Sequence, residues 1–315
     1  MKNFTWPEKV TLREVGLRDG LQNIARALPL DRKMEWIQES WEAGIREIEV
    51  GSFVPPRLMP QMADTGKLVA YAKTLPGLCV SVLVPNFKGA LHAMNAGADW
   101  MLLPLSASQA HSVANLRKTP DQIVEDIASI VRARAECESK TYIEIGISTA
   151  FGCTIQGDVA AQDVLDRVKA VLAVGVDRVS LADTVGYGDP RKVWDLFLRA
   201  RDVAGDRLAG AHFHDTRGLG IANAMAALYA GQNRFDACLA GLGGCPHAPG
   251  ASGNVAMEDM AYLFGSIGID TGIDIDKILA LRAKVAGWLD GVNMGGAVAR
   301  AGLPRTYLRR TRAVA

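Results

Sequence analysis

Tyr142-Ile143-Glu144-Ile145-Gly146-Ile147-Ser148-Thr149, then Ala160–Val174, then Arg178-Val179-Ser180-Leu181-Ala182-Asp183-Thr184 read as a strand, an amphipathic helix and a second strand. The flanking runs are short and rich in β-branched residues, and the segment between them has helical length and periodicity. A strand, a helix and a strand in that order imply parallel neighbours joined by a crossover. The unit recurs in both directions. Strands are expected at Val10–Gly16, Arg46–Phe53, Cys79–Pro85 and Trp100–Ser106 before it, and at Leu208–Asp215 and Phe235–Leu242 after it. Asp31–Ala43, Pro120–Glu138 and Ile221–Ala230 are further helical stretches, and Gly253–Ile267 would complete the eighth unit. Eight such units close into an α/β barrel of the (β/α)8, or TIM, type. A doubly wound open sheet is the alternative, but no Gly-x-Gly-x-x-Gly turn follows the first strand to encourage it. One domain is expected over residues 1–315, with the barrel at about 10–268 and a C-terminal helix and basic tail at 274–315.

The bulk composition agrees and excludes several classes. A chain of 315 residues, 49% hydrophobic and 22% charged, is long enough to bury one large core. Thirty-five Lys and Arg against 34 Asp and Glu leave a formal charge of +1, which gives no footprint for nucleic acid or an anionic membrane. No apolar run approaches the ~20 residues that span a bilayer, and the opening segment lacks the apolar core of a signal peptide. Cys79, Cys137, Cys153, Cys238 and Cys245 are scattered and form no Cys-x-x-Cys pair. A disulfide framework or thiolate zinc site is therefore not expected, and a reducing cytoplasm is. Cys79, Cys137 and Cys238 are expected as buried packing residues.

In a barrel of this kind chemistry sits at the carboxyl ends of the strands and in the loops after them. His212-Phe213-His214-Asp215 ends the seventh expected strand, where alternation turns both histidines to one side, spaced to share an ion. Asp19 follows the first strand, which closure brings near the seventh across the eighth. Asn254, beyond the last strand, offers an amide oxygen. Two imidazoles, a carboxylate and an amide, with positions left for water or substrate, suit Mg2+ or Mn2+ better than a thiolate-rich site would. The bland alternative is a pair of ordinary polar residues near a loop. Arg18 precedes Asp19, and Glu49 ends the second strand. A permanently charged, planar guanidinium above a barrel can stabilise a developing enolate or clamp a carboxylate; the alternative is a simple ion pair at the mouth. Ser180, Asp183 and Thr184 sit at the end of the sixth strand, and Gln22 lies three residues beyond Asp19.

Gly241 to Asn254 is the least helical stretch of the chain, with glycines that permit a loop able to close over a site. Cys245 within it, near a cation and Arg18, can exchange a proton with substrate; a tight turn with an incidental thiol is the alternative. His92 is expected on an exposed helix face, and His111 and Asn115 after the fourth strand either reach the mouth or order a loop. Arg305, Arg309, Arg310 and Arg312 form a basic end, either solvated or set to meet phosphates of a nucleotide-like carrier.

These residues fall in segments that match a known family. Glu14-Val15-Gly16-Leu17-Arg18-Asp19-Gly20-Leu21-Gln22-Asn23, Ile48-Glu49-Val50-Gly51-Ser52-Phe53-Val54, His212-Phe213-His214-Asp215-Thr216, and Gly243-Gly244-Cys245-Pro246 through Gly250-Ala251-Ser252-Gly253-Asn254 occur in that order. Over about Val10 to Asp274 the chain resembles the 3-hydroxy-3-methylglutaryl-CoA lyases, within the wider group of metal-dependent barrel lyases and condensing enzymes. The resemblance implies that Asp19, His212, His214 and Asn254 hold a divalent ion, Mg2+ or Mn2+. It implies that Arg18 stabilises the enolate of the leaving acyl-CoA, that Cys245 belongs to a mobile lid, and that Glu49 is a further acidic residue of the site. The implied reaction is a retro-Claisen cleavage, in which the 3-hydroxyl loses its proton and the C2–C3 bond breaks. His212 is the expected proton-transfer group, relayed with Cys245, and Asp183 is a further catalytic candidate. Gln22, Ser180 and Thr184 are expected substrate contacts beside Arg18. An acyl-CoA is the expected partner and a homodimer the expected assembly.

The chain also departs from that family. Glu144-Ile145-Gly146 stands where the lyases carry Arg-Gly-Tyr at a substrate-facing turn. Leu103-Pro104-Leu105-Ser106 replaces small residues, and His247 replaces a Tyr. The expected activity is cleavage of 3-hydroxy-3-methylglutaryl-CoA to acetyl-CoA and acetoacetate, with citramalyl-CoA or a longer branched 3-hydroxyacyl-CoA as close variants. A condensing acyltransferase of the isopropylmalate synthase type is the next alternative, although its long C-terminal extension and the Gly-Gly-Cys-Pro segment do not fit. A non-catalytic acyl-CoA binder is the third.

Overall fold

The computed structural model describes residues 5–244 and 253–307. The first half runs β1 (Thr11–Glu14), α1 (Leu30–Glu42), β2 (Glu47–Ser52), α2 (Thr65–Ala72), β3 (Cys79–Leu83), α3 (Phe87–Ala96), β4 (Trp100–Ser106) and α4 (Gln109–Leu116). The second runs α5 (Pro120–Glu136), β5 (Tyr142–Ser148), α6 (Ala161–Ala173), β6 (Arg178–Asp183), α7 (Pro190–Ala204), β7 (Leu208–Phe213), α8 (Gly220–Tyr229) and β8 (Arg234–Ala237). After these come α9 (Met257–Ser266), α10 (Ile275–Trp288) and α11 (Ala297–Ala301). The strands close in sequence order, β1 to β8 and back to β1, every pair parallel. This is the (β/α)8 barrel that the alternating pattern implied.

Local chemistry explains the elements. The apolar positions of β5, Ile143, Ile145 and Ile147, are fully buried, as period-two alternation requires of a face turned to the helices. Thr119 and Gln122 form a capping box at the start of α5, with Pro120 at its first turn. Asn86 caps α3, which ends at a left-handed Gly97. Ile278, Leu281 and Val285 of α10 join the same hydrophobic cluster as the barrel. No helix among the described residues is long and apolar enough to cross a membrane.

Several expected boundaries shift, most of them by one or two residues, and the larger shifts come where the chain leaves a strand. β1 stops at Glu14 because Gly16–Gly20 winds into a π-helical turn. β8 stops at Ala237 because Leu239–Gly241 forms a 3-10 turn. The ninth helix starts at Met257 rather than Gly253, since Asn254 bridges to His214 and Ala256 to Cys238. Cys137, expected inside, is exposed at the end of α5, and Cys79 is only partly buried; Cys238 is buried as expected.

Candidate active site

The π-helical turn after β1 sets the first half of the site. Glu14 accepts the backbone N–H of Gly16 at 2.6 Å and that of Leu239 at 3.0 Å, tying the turn to the end of β8. Gly16 is required here, since a Cβ would lie 2.3 Å from Glu14 Oε1 and 2.6 Å from Trp36. Burial pushes the Glu14 carboxyl up to about 8, although these two N–H groups oppose the shift.

From this turn Arg18 and Asp19 face inward. Arg18 donates through Nε to Glu49 Oε2 at 2.7 Å and through Nη1 to Asp19 Oδ1 at 2.6 Å. Burial alone would raise Asp19, but Arg18 and the two histidines hold its carboxyl well below the usual carboxylate range. Glu49 moves the other way. Burial outweighs Arg18 and raises its pKa, and its second oxygen, Oε1, is buried without a hydrogen-bond partner among the described residues.

The end of β7 supplies the other half. His214 Nε2 lies 3.6 Å and His212 Nε2 4.0 Å from Asp19 Oδ2, and the three ligand atoms sit within 4.8 Å of one another. These gaps are too long for good hydrogen bonds but suit atoms sharing one ion, since ligands about 2.1 Å from a small divalent cation lie roughly 3–4 Å apart. His214 Nδ1 is buried with no hydrogen-bond partner among the described residues. His212 Nδ1 contacts Asp236 Oδ2 at 3.1 Å. Burial lowers His212, and the neighbouring carboxylates of Asp236 and Asp19 more than offset it, so the imidazole pKa is raised.

The remaining expected residues divide. Asn254 reaches the cluster through its amide nitrogen, which donates to Asp19 Oδ2 at 2.6 Å and to the Leu242 carbonyl at 2.9 Å. Gly243 allows this approach: a Cβ there would fall 2.6 Å from Asn254 Nδ2, and its φ of +118° is strained for other residues. Gln22 donates to Asp19 Oδ1 at 2.6 Å, and Thr184 Oγ1 accepts the Thr149 N–H at 2.9 Å. Both Asp183 oxygens are taken by the N–H groups of Tyr187 and Gly188 at 2.9 Å, so it orders the turn after β6. Ser180 is buried on the inner face of the barrel beside Gly146 and Gly210. His111 is buried in α4 with Nδ1 3.1 Å from Ser106 Oγ, and His92 is exposed. Cys245 and His247, with Arg309, Arg310 and Arg312, lie outside the described residues.

One expectation is corrected. Glu144 does not occupy a substrate-facing turn; it is 1% exposed, inside the barrel. It accepts two bonds at 3.0 Å from Arg13 and one at 2.7 Å from Arg178. Burial would raise its carboxyl, yet the two guanidinium groups hold it at about 2. Sequence reasoning also gave no role to Arg13, Glu14 or Asp236. The available signal was a charged side chain on the inward phase of an expected strand.

Fold and site together define a (β/α)8 barrel with an Asp/His/His cluster at its carboxyl end that could hold a metal ion. Comparison with known proteins makes this specific. The HMGL-like family pattern matches residues 9–285. The chain is 38% identical over 297 residues to the hydroxymethylglutaryl-CoA lyase of Pseudomonas mevalonii, covering 94% of this chain and 96% of that one. It is 36% identical to the 3-hydroxy-3-isohexenylglutaryl-CoA/hydroxy-methylglutaryl-CoA lyase of Pseudomonas aeruginosa, covering 94% and 97% of the two chains. An HMG-CoA lyase structure from Acinetobacter baumannii, in complex with coenzyme A and 3-methylmalate, superposes with a TM-score of 0.89 at 36% identity, over 95% of this chain and 96% of that one. The chain belongs to the HMGL-like family of carbon–carbon lyases.

Proposed function

We propose that the protein cleaves 3-hydroxy-3-methylglutaryl-CoA to acetyl-CoA and acetoacetate by a divalent-metal-dependent retro-Claisen reaction. The observation that carries this reading is the convergence of Asp19, His212 and His214 within 4.8 Å, with Arg18 and Glu49 beside them. Asp19, His212 and His214 would hold Mg2+ or Mn2+, and Asn254 would join through its amide oxygen in exchange for its bond to Asp19. When bound, such an ion supplies Lewis-acid polarisation of a substrate oxygen.

The chain's own residues do the rest. Proton removal from the 3-hydroxyl needs a base with a free atom at the site. Glu49 Oε1 is buried with no partner among the described residues, on a carboxyl whose pKa burial has raised. His212 has Nδ1 on Asp236 and Nε2 turned toward Asp19. A ring that holds an ion through Nε2 has no nitrogen left for the proton, so the assignment moves to Glu49 Oε1. As the C2–C3 bond breaks, its electron pair passes into the thioester, and Arg18 stabilises the resulting enolate charge. C2 then takes up a proton, for which Cys245 is the candidate on sequence grounds. Gln22 and Asp183 act on this reading through Asp19 and the turn after β6, and Ser180 and Thr184 line the acyl side. The complex of the Acinetobacter relative with coenzyme A supports an acyl-CoA partner. A homodimer and a cytoplasmic location complete the proposal.

A related thioester is the second reading, favoured by Gly146. A Cβ there would meet only Ser180 Oγ, at 3.8 Å, among the described residues, which leaves space for a different acyl substituent. Purified protein with Mg2+ tests both. Acetyl-CoA release from 3-hydroxy-3-methylglutaryl-CoA supports the first, and cleavage of citramalyl-CoA alone moves the assignment to the second. Free CoA formed from acetyl-CoA and a 2-oxoacid would move it to the condensing enzymes.

A further inference from the structure

Branched apolar side chains dominate the interior of a (β/α)8 barrel; in this chain the middle of that interior is charged. Arg13 on β1 reaches across to Glu144 on β5, the strand opposite it in the closed barrel. The same guanidinium grips both oxygens of Asp236 on β8, Nε at 2.7 Å and Nη2 at 3.0 Å. Arg178 adds a bond to Glu144 at 2.7 Å and lies 3.4 Å over the Trp100 ring. At the other end of the chain of contacts Asp236 Oδ2 meets His212 Nδ1 at 3.1 Å. Arg13, Glu144 and Asp236 are 5%, 1% and 9% exposed, so this is an ionic cluster withdrawn from water.

Stability alone does not explain such a cluster. Buried ion networks are often no better than well-packed apolar residues, because desolvation offsets the attraction. What distinguishes this one is where it ends. We infer that Asp236, clamped by Arg13 with Glu144 and Arg178 behind it, is a positioning residue that fixes the His212 ring for the divalent ion. As acceptor of the Nδ1–H it commits Nε2 to the ion and orients the ring plane, the arrangement by which carboxylates commonly support metal-binding histidines. The bidentate grip of Arg13 keeps Asp236 from rotating away. Asp236 touches no reacting atom. The cluster therefore acts through His212, and its influence falls with each step from Asp236 to Arg13 to Glu144. The inference rests on the reading of Asp19, His212 and His214 as an ion site.

The test is Mn2+ binding to the metal-free full chain, followed by electron paramagnetic resonance. Asp236→Asn, Arg13→Lys and Glu144→Gln are compared with the unaltered protein, and circular dichroism confirms that each is folded. Asp236→Asn is expected to weaken Mn2+ binding about 10- to 100-fold and to lower kcat more than it changes KM, with progressively smaller effects at Arg13 and Glu144. In the unaltered, Mg2+-loaded protein, nitrogen-15 spectra of labelled histidine are expected to show the His212 proton on Nδ1. This readout needs no variant to fold. Asp236→Asn binding within twofold of the unaltered protein, or a His212 proton on Nε2, overturns the inference. Absence of Mn2+ binding by the unaltered protein would instead overturn the ion-site reading beneath it.

Discussion

Along β5, Ile143, Ile145 and Ile147 alternate with Glu144, Gly146 and Ser148, and β2 repeats the pattern with Ile48 and Val50 between Glu47, Glu49 and Gly51. The first set joins the apolar cluster under the helices. Of the second set, Glu144 and Glu49 meet Arg13, Arg178 and Arg18. One strand thus presents an oily face and a charged face a single residue apart, as its two-residue period dictates. The outer face can only hold the fold together. The inner face is costly to bury, and its carboxylates Glu144 and Glu49 are ion-paired there.

The largest expected effect comes from the inner face. Asp19→Asn should lower turnover at least about a thousandfold, the several kcal/mol that a metal ligand set supplies to the transition state. Thioester cleavage per folded molecule reads this, and a variant of near-normal activity would separate Asp19 from the chemistry. Ile145→Ala, one position from Glu144, should do the reverse. It should cost about 2–5 kcal/mol of stability for a large-to-small change in a packed core, with kcat per folded molecule unchanged in denaturant and activity assays.

Glu14 sharpens the comparison through pH. Its folded pKa of about 8 lies above the ordinary 4.5, so the native state binds the proton more tightly than the unfolded chain. The resulting contribution is fully present below pH 4.5 and is lost as pH rises through 8. Melting temperature should therefore decline from pH 5 to 8, and Glu14→Gln should flatten that slope; identical slopes would contradict the assignment. The smallest effect is expected of Gly146→Ala. A Cβ there would make only an ordinary contact with Ser180 Oγ, at 3.8 Å, which predicts a stability change within about 0.5 kcal/mol, with any consequence confined to KM among acyl-CoA substrates.

The barrel was legible because alternation and helix periodicity are local signals, repeated eight times. The candidate ion site was legible through His212 and His214, one strand period apart, and through Asp19 in its motif. Strand ends were read too long, because the π-helical turn at Gly16–Gly20 and the 3-10 turn at Leu239–Gly241 depend on bonds from Glu14 and on contacts between distant segments. The role of Glu144 was misread for the same reason. Its partners Arg13 and Arg178 are 131 and 34 residues away, and only closure of the barrel brings them together.

The most direct test of the central claim is acetyl-CoA release from 3-hydroxy-3-methylglutaryl-CoA by metal-stripped protein titrated with Mg2+ or Mn2+. Activity that is absent without the ion, rises saturably with it and disappears on chelation is the predicted result. Turnover indifferent to chelation, or none from folded protein that has bound the ion, would contradict it.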